Sequence, residues 1–359
     1  IYLSGSAAPT PPPHVLGLDR KSFPGATARD KNPWYLLNSD RGDDVLQALV
    51  GARLGVVPAR VVPVCGASEG HFLIEMLVRG CDGGDVLAES PGYGPHAGVA
   101  RAFAGEIVPL ARDPHGRIDL SVLERPESGR AKVALVSDPH NPSGQPLQRE
   151  DLAELVRWAD QRRAQVVIDE VFREADPTRA PGTWAAEWPH RVWSVSSVTK
   201  SYGLGGLRLG WVIAPADWEQ ALRRIEDYTT VIAPGPSIAL ARRVLERADA
   251  ARAWVIEAMR PNRELFAAKD GWDTSGTTAF LRVEAKGETR SPDTTAFCSE
   301  VLRDHGVAVV PGAFFGAPDG FRIGFGAPAR DFRQGWTIVR RELAKRKWRV
   351  VPLPALAPA

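Results

Sequence analysis

The sequence is short of the features that mark several large protein classes. It has three cysteines, Cys65, Cys81 and Cys298, among 359 residues. Their number is odd and their spacing fits no metal-ligand pattern, so they are read as packing residues in a reducing compartment rather than as a disulfide framework or a metal site. A surplus of one charge is also missing. The 45 basic and 43 acidic side chains leave a formal +2, which does not suit a polyanion or an anionic membrane as partner. No run approaches the roughly 18 apolar residues of a membrane span. Residues 1–13 lack the basic start and apolar core of a signal peptide. No internal repeat of roughly 20–50 residues recurs. The expectation is a cytoplasmic protein acting on small molecules, with no nucleic acid, membrane or metal involved.

What is present is a long chain with a regular rhythm. Its length exceeds one ordinary hydrophobic core and predicts two domains. The first forty residues, rich in Pro, Gly and Ser, read as an extended arm that packs on something else. Beyond residue 43, short apolar runs (Val61–Val64, Val86–Ala88, Val133–Val136, Val166–Ile168, Val192–Ser196, Leu209–Ile213) alternate with helical-period segments such as Leu147–Arg162. That alternation predicts a mostly parallel sheet with crossover helices. A long helical stretch, Pro236–Ala268, follows. A second rhythm comes next: strand-like Ala279–Val283, helical Asp293–His305, strand-like Val307–Val310 and Phe321–Phe325, and a helix over Ala329–Lys345. It predicts a small α+β domain. The tail from Trp348, ending in PLPALAPA, reads as poorly ordered.

Several segments at strand ends carry chemistry. The connection from Ser197 through Lys200 to Arg208 is glycine-rich. A lysine desolvated there, or placed near other cations, becomes a neutral amine able to condense with an aldehyde. Ser197 and Arg208 offer a hydroxyl and a guanidinium to a phosphate. Val166–Asp169 is an apolar strand ending in an acid, the position at which open α/β sheets bind ligands. Such an acid can keep a pyridine nitrogen protonated. Asn141 lies in a turn-rich segment after a strand, and Gly66-Ala67-Ser68-Glu69-Gly70 opens a helix whose first amides could cradle phosphate. Tyr93 presents a ring at a strand end, and Arg322 sits in a strand, suited to a carboxylate. Each has a plainer structural reading alone: a solvated lysine, a strand-end ion pair, a turn-forming Asn-Pro, an edge-strand arginine. His96 and His140 are read as supporting or surface residues rather than acids or bases.

In this order and spacing, from Asn38 to Gly326, the motifs resemble those of the fold-type I pyridoxal 5′-phosphate (PLP) enzymes of the class I/II aminotransferase family, which includes the aspartate and histidinol-phosphate aminotransferases. The resemblance implies an α/β fold. A large PLP domain over residues 40–240 would hold a mostly parallel seven-stranded sheet between helices. A small α+β domain would combine 1–39 with 241–347, leaving 348–359 as a tail. It implies transfer of an amino group from an amino acid to a 2-oxo acid in a homodimer. Lys200 would form the internal aldimine and shuttle the α-proton; Asp169 would pair with the pyridine nitrogen and Tyr93 stack on the ring. Asn141 would bond the phenolic oxygen and assist Arg322 on the substrate carboxylate. Ala67, Ser68, Ser197 and Arg208 would hold the phosphate, and Tyr35 is a candidate for reaching the partner subunit's phosphate. One departure stands out: Phe172 occupies the cofactor-facing position where the family usually has a tyrosine.

Other readings compete. The same cofactor residues serve decarboxylation, β-elimination, cyclisation or oxidation of an amino acid. A sensor that retains PLP would need a DNA-binding segment, and none is recognisable. Gly66–Gly70 is also a literal G-x-S-x-G, the nucleophile elbow of a serine hydrolase acting through Ser68. His190 or His305 could be proposed as its base, but no oxyanion-type glycine run precedes it. A dinucleotide site at Gly203–Leu207 fails on glycine spacing.

Overall fold

The computed structural model describes residues 1–19, 41–80, 83–103, 105–113, 115–270, 276–287 and 291–351. Seven strands, β1 (Val61–Val64), β2 (Asp85–Ser90), β3 (Ile107–Ala111), β4 (Ala131–Ser137), β5 (Gln165–Asp169), β6 (Val192–Ser197) and β7 (Gly210–Ile213), form one sheet in the order β1-β7-β6-β5-β4-β2-β3. Its pairs are parallel except where β7 runs antiparallel to β1 and β6. The inner strands are buried on both faces, and for that reason they read as continuous apolar runs. Alternate residues feed two cores: Val166 and Ile168 belong to one, Val167, Trp193 and Val195 to the other. The helices of this part are α1 (Arg41–Leu54), α2 (Ala67–Arg79), α3 (Gly94–Ala102), α4 (Arg149–Arg162), the short α5 (Trp184–Glu187) and α6 (Val198–Ser201), α7 (Glu219–Glu226) and α8 (Gly235–Leu245).

The reversed β7 decides where the chemistry lies. Because β6 and β7 are antiparallel neighbours, no crossover is needed, and their connection starts and finishes at one edge of the sheet, with Ser197 paired to Gly210. Register then aligns Ser137 with Asp169 and Asp169 with Val195, so strands β4, β5 and β6 all end at this same edge.

The long helix α9 (Ala248–Asp270) leads to a second, antiparallel sheet of β8 (Thr278–Ala285), β9 (Val310–Pro311), β10 (Gly320–Gly324) and β11 (Trp348–Val351), ordered β11-β8-β10-β9. Helices α10 (Thr295–His305) and α11 (Ala329–Lys345) accompany it. A third core of Met259, Phe266, Leu281, Phe297, Phe325 and Trp336 fills this part, and Leu3 from the first residues is buried in it.

Four readings need correction. The tail from Trp348 is not loose at its start: Trp348–Val351 pairs with β8, and the Trp348 ring packs 5.7 Å from that of Phe297. The Pro236–Ala268 helix is two helices, α8 and α9. The strand expected over Val307–Val310 shrinks to Val310–Pro311. Strand β3 was not expected, because Pro109 interrupts its pattern; it lies at the edge of the sheet, where a missing N–H is tolerated. Among the cysteines, Cys298 packs in the small core with its thiol pushed up to about 12 by burial, Cys65 is half-buried, and Cys81 lies outside the described residues. No helix among the described residues is long and apolar enough to cross a membrane.

Candidate active site

The aligned strand ends open into a cavity of about 210 Å³. One wall is the start of α2 with Ala67 and Ser68; Ser197, Lys200 and Arg208 come from the β6–β7 connection. Tyr93, Asn141, Asp169 and Phe172 also line it, together with His71 and His96. Arg322 is not itself in the cavity wall, but its Nη1 donates to Asn141 Oδ1 at 2.9 Å. Tyr35 lies outside the described residues. His190 is an exposed partner of Asp217, and His305 pairs with Glu342, so neither stands beside Ser68 as a triad base.

Glycine makes one wall an anion cradle. Gly66 precedes α2 at φ 89°, and no side chain caps the helix. A Cβ on Gly66 would lie 2.7 Å from Arg208 Nη2, and one on Gly210 would lie 3.1 Å from Ala67 N. Without those methyl groups the Arg208 guanidinium rests against the backbone at the helix start, where amide groups and helix dipole also favour an anion.

Asp169 is buried and held from both sides. Its Oδ1 accepts from Val171 N at 3.0 Å, while its Oδ2 faces Nε2 of both His71 and His96 at 3.1 Å. Burial alone would raise its carboxyl; the two imidazoles outweigh it and hold the group far below the usual carboxylate range. The ring of His96 meets that of Tyr93 edge-on at 5.1 Å and that of His71 at 4.4 Å. The three ligand atoms lie within 4.8 Å of one another, a spacing a metal ion could also use; donor–acceptor pairing at 3.1 Å accounts for it equally.

Lys200 has its amine lowered by burial first and then by Arg322; Asp169 pulls the other way, and Arg208 adds a smaller lowering. Its Nζ lies 3.3 Å from Ser6 Oγ. The first residues therefore reach the site, and they do so repeatedly. Ala8 N donates to Lys200 O, Thr10 Oγ1 to Gly203 O, and Arg322 Nη2 to Ser4 O. Arg322 is buried with its Nε unpartnered, and burial lowers the guanidinium to about 10.

His71, Ser4 and Ser6 are site residues that the sequence reading missed, and His96 is nearer the centre than expected. His71 follows Ala67 by four residues, which puts both on one helix face; that spacing was the only local signal. His140 is buried and bonded to Ser143 Oγ and Pro91 O.

A half-buried lysine amine, an ionised acid, an anion cradle and a spare guanidinium donor meeting at the strand ends define a PLP-dependent enzyme of fold type I. The chain belongs to the aminotransferase class I and II family, whose pattern it matches over residues 38–334. It is 33% identical to the capreomycidine synthase of Streptomyces vinaceus, covering 84% of this chain and 79% of that one. Similarity to the valine–pyruvate aminotransferase of Mycobacterium tuberculosis is 30%, covering 78% and 74%. A PLP-dependent aminotransferase from Streptococcus suis has the same fold, with a TM-score of 0.81 at 21% identity, covering 96% of this chain and 93% of that one.

Proposed function

We propose that the protein is an aminotransferase that moves the amino group of an α-amino acid to a 2-oxo acid. The observation that carries this reading is the meeting of Lys200, Asp169, Asn141 and Arg208 around one cavity with Arg322 bonded to its wall. When bound, PLP supplies an electron sink for the pair left on the substrate α-carbon. Arg208, Ser68, Ser197 and the first amides of α2 would hold its phosphate, and Asp169, kept ionised, would pair with its ring nitrogen. Asn141, whose Oδ1 is engaged by Arg322, has its amide donor free in direction for the phenolic oxygen. Arg322 takes the substrate carboxylate on its remaining donors and fixes which α-bond is presented. Lys200 would be the covalent attachment point for the cofactor, and its amine, when free and neutral, would take the α-proton at Nζ and later return it. Ser6 Oγ, 3.3 Å from Nζ, would accept a hydrogen bond from the ammonium that holds the proton between the two transfers.

A second reading keeps the same first proton transfer and ends in cyclisation; likeness to a PLP-dependent cyclase, with a TM-score of 0.77 at 25% identity over 96% of this chain and 93% of that one, favours it. One experiment separates the two. The PLP-loaded protein is incubated with a panel of amino acids, and products are followed by mass spectrometry with and without a 2-oxo acid. Transamination yields one oxo acid per active site without acceptor and many with it. Turnover that continues without acceptor and yields a cyclic or unsaturated product would replace this conclusion by the second.

A further inference from the structure

Asp169 is served by an imidazole from each of two helices, and the two do not have the same place in the fold. His96 stands one turn into α3 from Tyr93 and packs against its ring. His71 comes from α2, the helix whose first turn forms the anion cradle. It is 4% exposed and points Nε2 across 98 residues of sequence to Asp169 Oδ2. A carboxylate accepts at about four lone-pair sites. Val171 N–H uses one on Oδ1, and His71 and His96 use two on Oδ2, leaving one on Oδ1.

We propose that His71 is a positioning residue for the cofactor, acting through Asp169. Its Nε2–H fixes the carboxylate with one acceptor site left for the protonated pyridine nitrogen, and it ties that site rigidly to the phosphate cradle on the same helix. A partner that only filled space would not need a donor at this point, nor burial of a second imidazole against His96. The proposal rests on PLP occupying the cavity, but not on which reaction follows.

The test uses the cofactor-free full chain reconstituted with PLP labelled with ¹⁵N in its ring. PLP affinity is read by absorbance titration and the protonation of the ring nitrogen by its ¹⁵N shift, for wild type, His71→Leu and His71→Gln. The leucine variant is expected to lose PLP affinity by at least about tenfold, the range for residues that orient a first ligand, and to move the ¹⁵N resonance toward the unprotonated position. Glutamine, which can return an N–H near the Nε2 position, is expected to restore both toward wild type. Unchanged affinity and unchanged shift in the leucine variant would overturn the proposal. Should that variant fail to fold by circular dichroism, His71→Asn, which stays polar but is too short to reach Oδ2, is held to the same two outcomes. Wild-type protein that binds no PLP would overturn the proposal together with the cofactor assignment, a result distinct from the first.

Discussion

Arg322 on β10 donates Nη1 to the side-chain oxygen of Asn141 at 2.9 Å, joining the small sheet to the wall of the cavity in the large one. The bond sets the orientation of the Asn141 amide and brings a buried guanidinium with an unpartnered Nε to the site. Arg322→Ala is expected to raise KM for the amino acid by about ten- to a hundredfold, the worth of hydrogen bonds to a charged group. Asn141→Ala combined with it should cost less than the sum of the two, since the residues act as a pair. A carboxylate inhibitor should bind with constant affinity at neutral pH and weaken as pH rises through about 10, where Arg322 loses its proton. Steady-state kinetics read the first two effects, and isothermal titration of the inhibitor across pH reads the third.

Lys200→Ala is expected to abolish turnover, by at least about a thousandfold, while PLP still binds noncovalently through the cradle and Asp169. Substantial residual transamination would remove the lysine from its role; the absorbance of the reconstituted variant reports binding separately.

Phe172 lines the cavity without a hydroxyl. A donor added there would stabilise an anionic phenolic oxygen, so Phe172→Tyr should lower the pH midpoint of the absorbance change of the PLP-loaded protein. A midpoint that stays or rises contradicts the inference.

At Gly66 a methyl group meets Arg208 Nη2 at 2.7 Å and is forced to a positive φ. Gly66→Ala should cost about 1–3 kcal/mol of stability from the backbone and weaken PLP binding by displacing the guanidinium. Denaturant midpoints and PLP titration measure the two losses independently.

His140, 1% exposed, is held to a pKa of about 4 by burial, from an ordinary 6.5. A base lowered in this way keeps its full contribution above 6.5 and loses it as pH falls toward 4, because the unfolded chain takes up the proton first. The loss should reach up to about 3 kcal/mol. The urea midpoint of wild type should therefore fall between pH 6.5 and 4.5 by more than that of His140→Asn.

The sequence disclosed what is local. The inner strands stand out because burial on both faces makes them apolar throughout, and Asp169, Ser197, Lys200 and Arg208 are visible because each sits at or just beyond such a strand. Helix α11 shows at the bounds its periodicity predicts. The misses have two causes. At the margins of sheets, pairing overrides composition, as with Pro109 in β3 and the Pro-flanked β11. Across long separations, periodicity is silent: nothing near His71 points to a carboxylate 98 residues away, and nothing near Ser6 points to an amine 194 residues away.

The first residues touch Lys200, Gly203 and Arg322 through Ser6, Ala8, Thr10 and Ser4. They run as a seam between the two sheets, stitched to both. Removal of residues 1–10 would take these bonds from Lys200 and from Arg322 together, so the proposed base and the proposed carboxylate-binding arginine are steadied by one and the same length of chain.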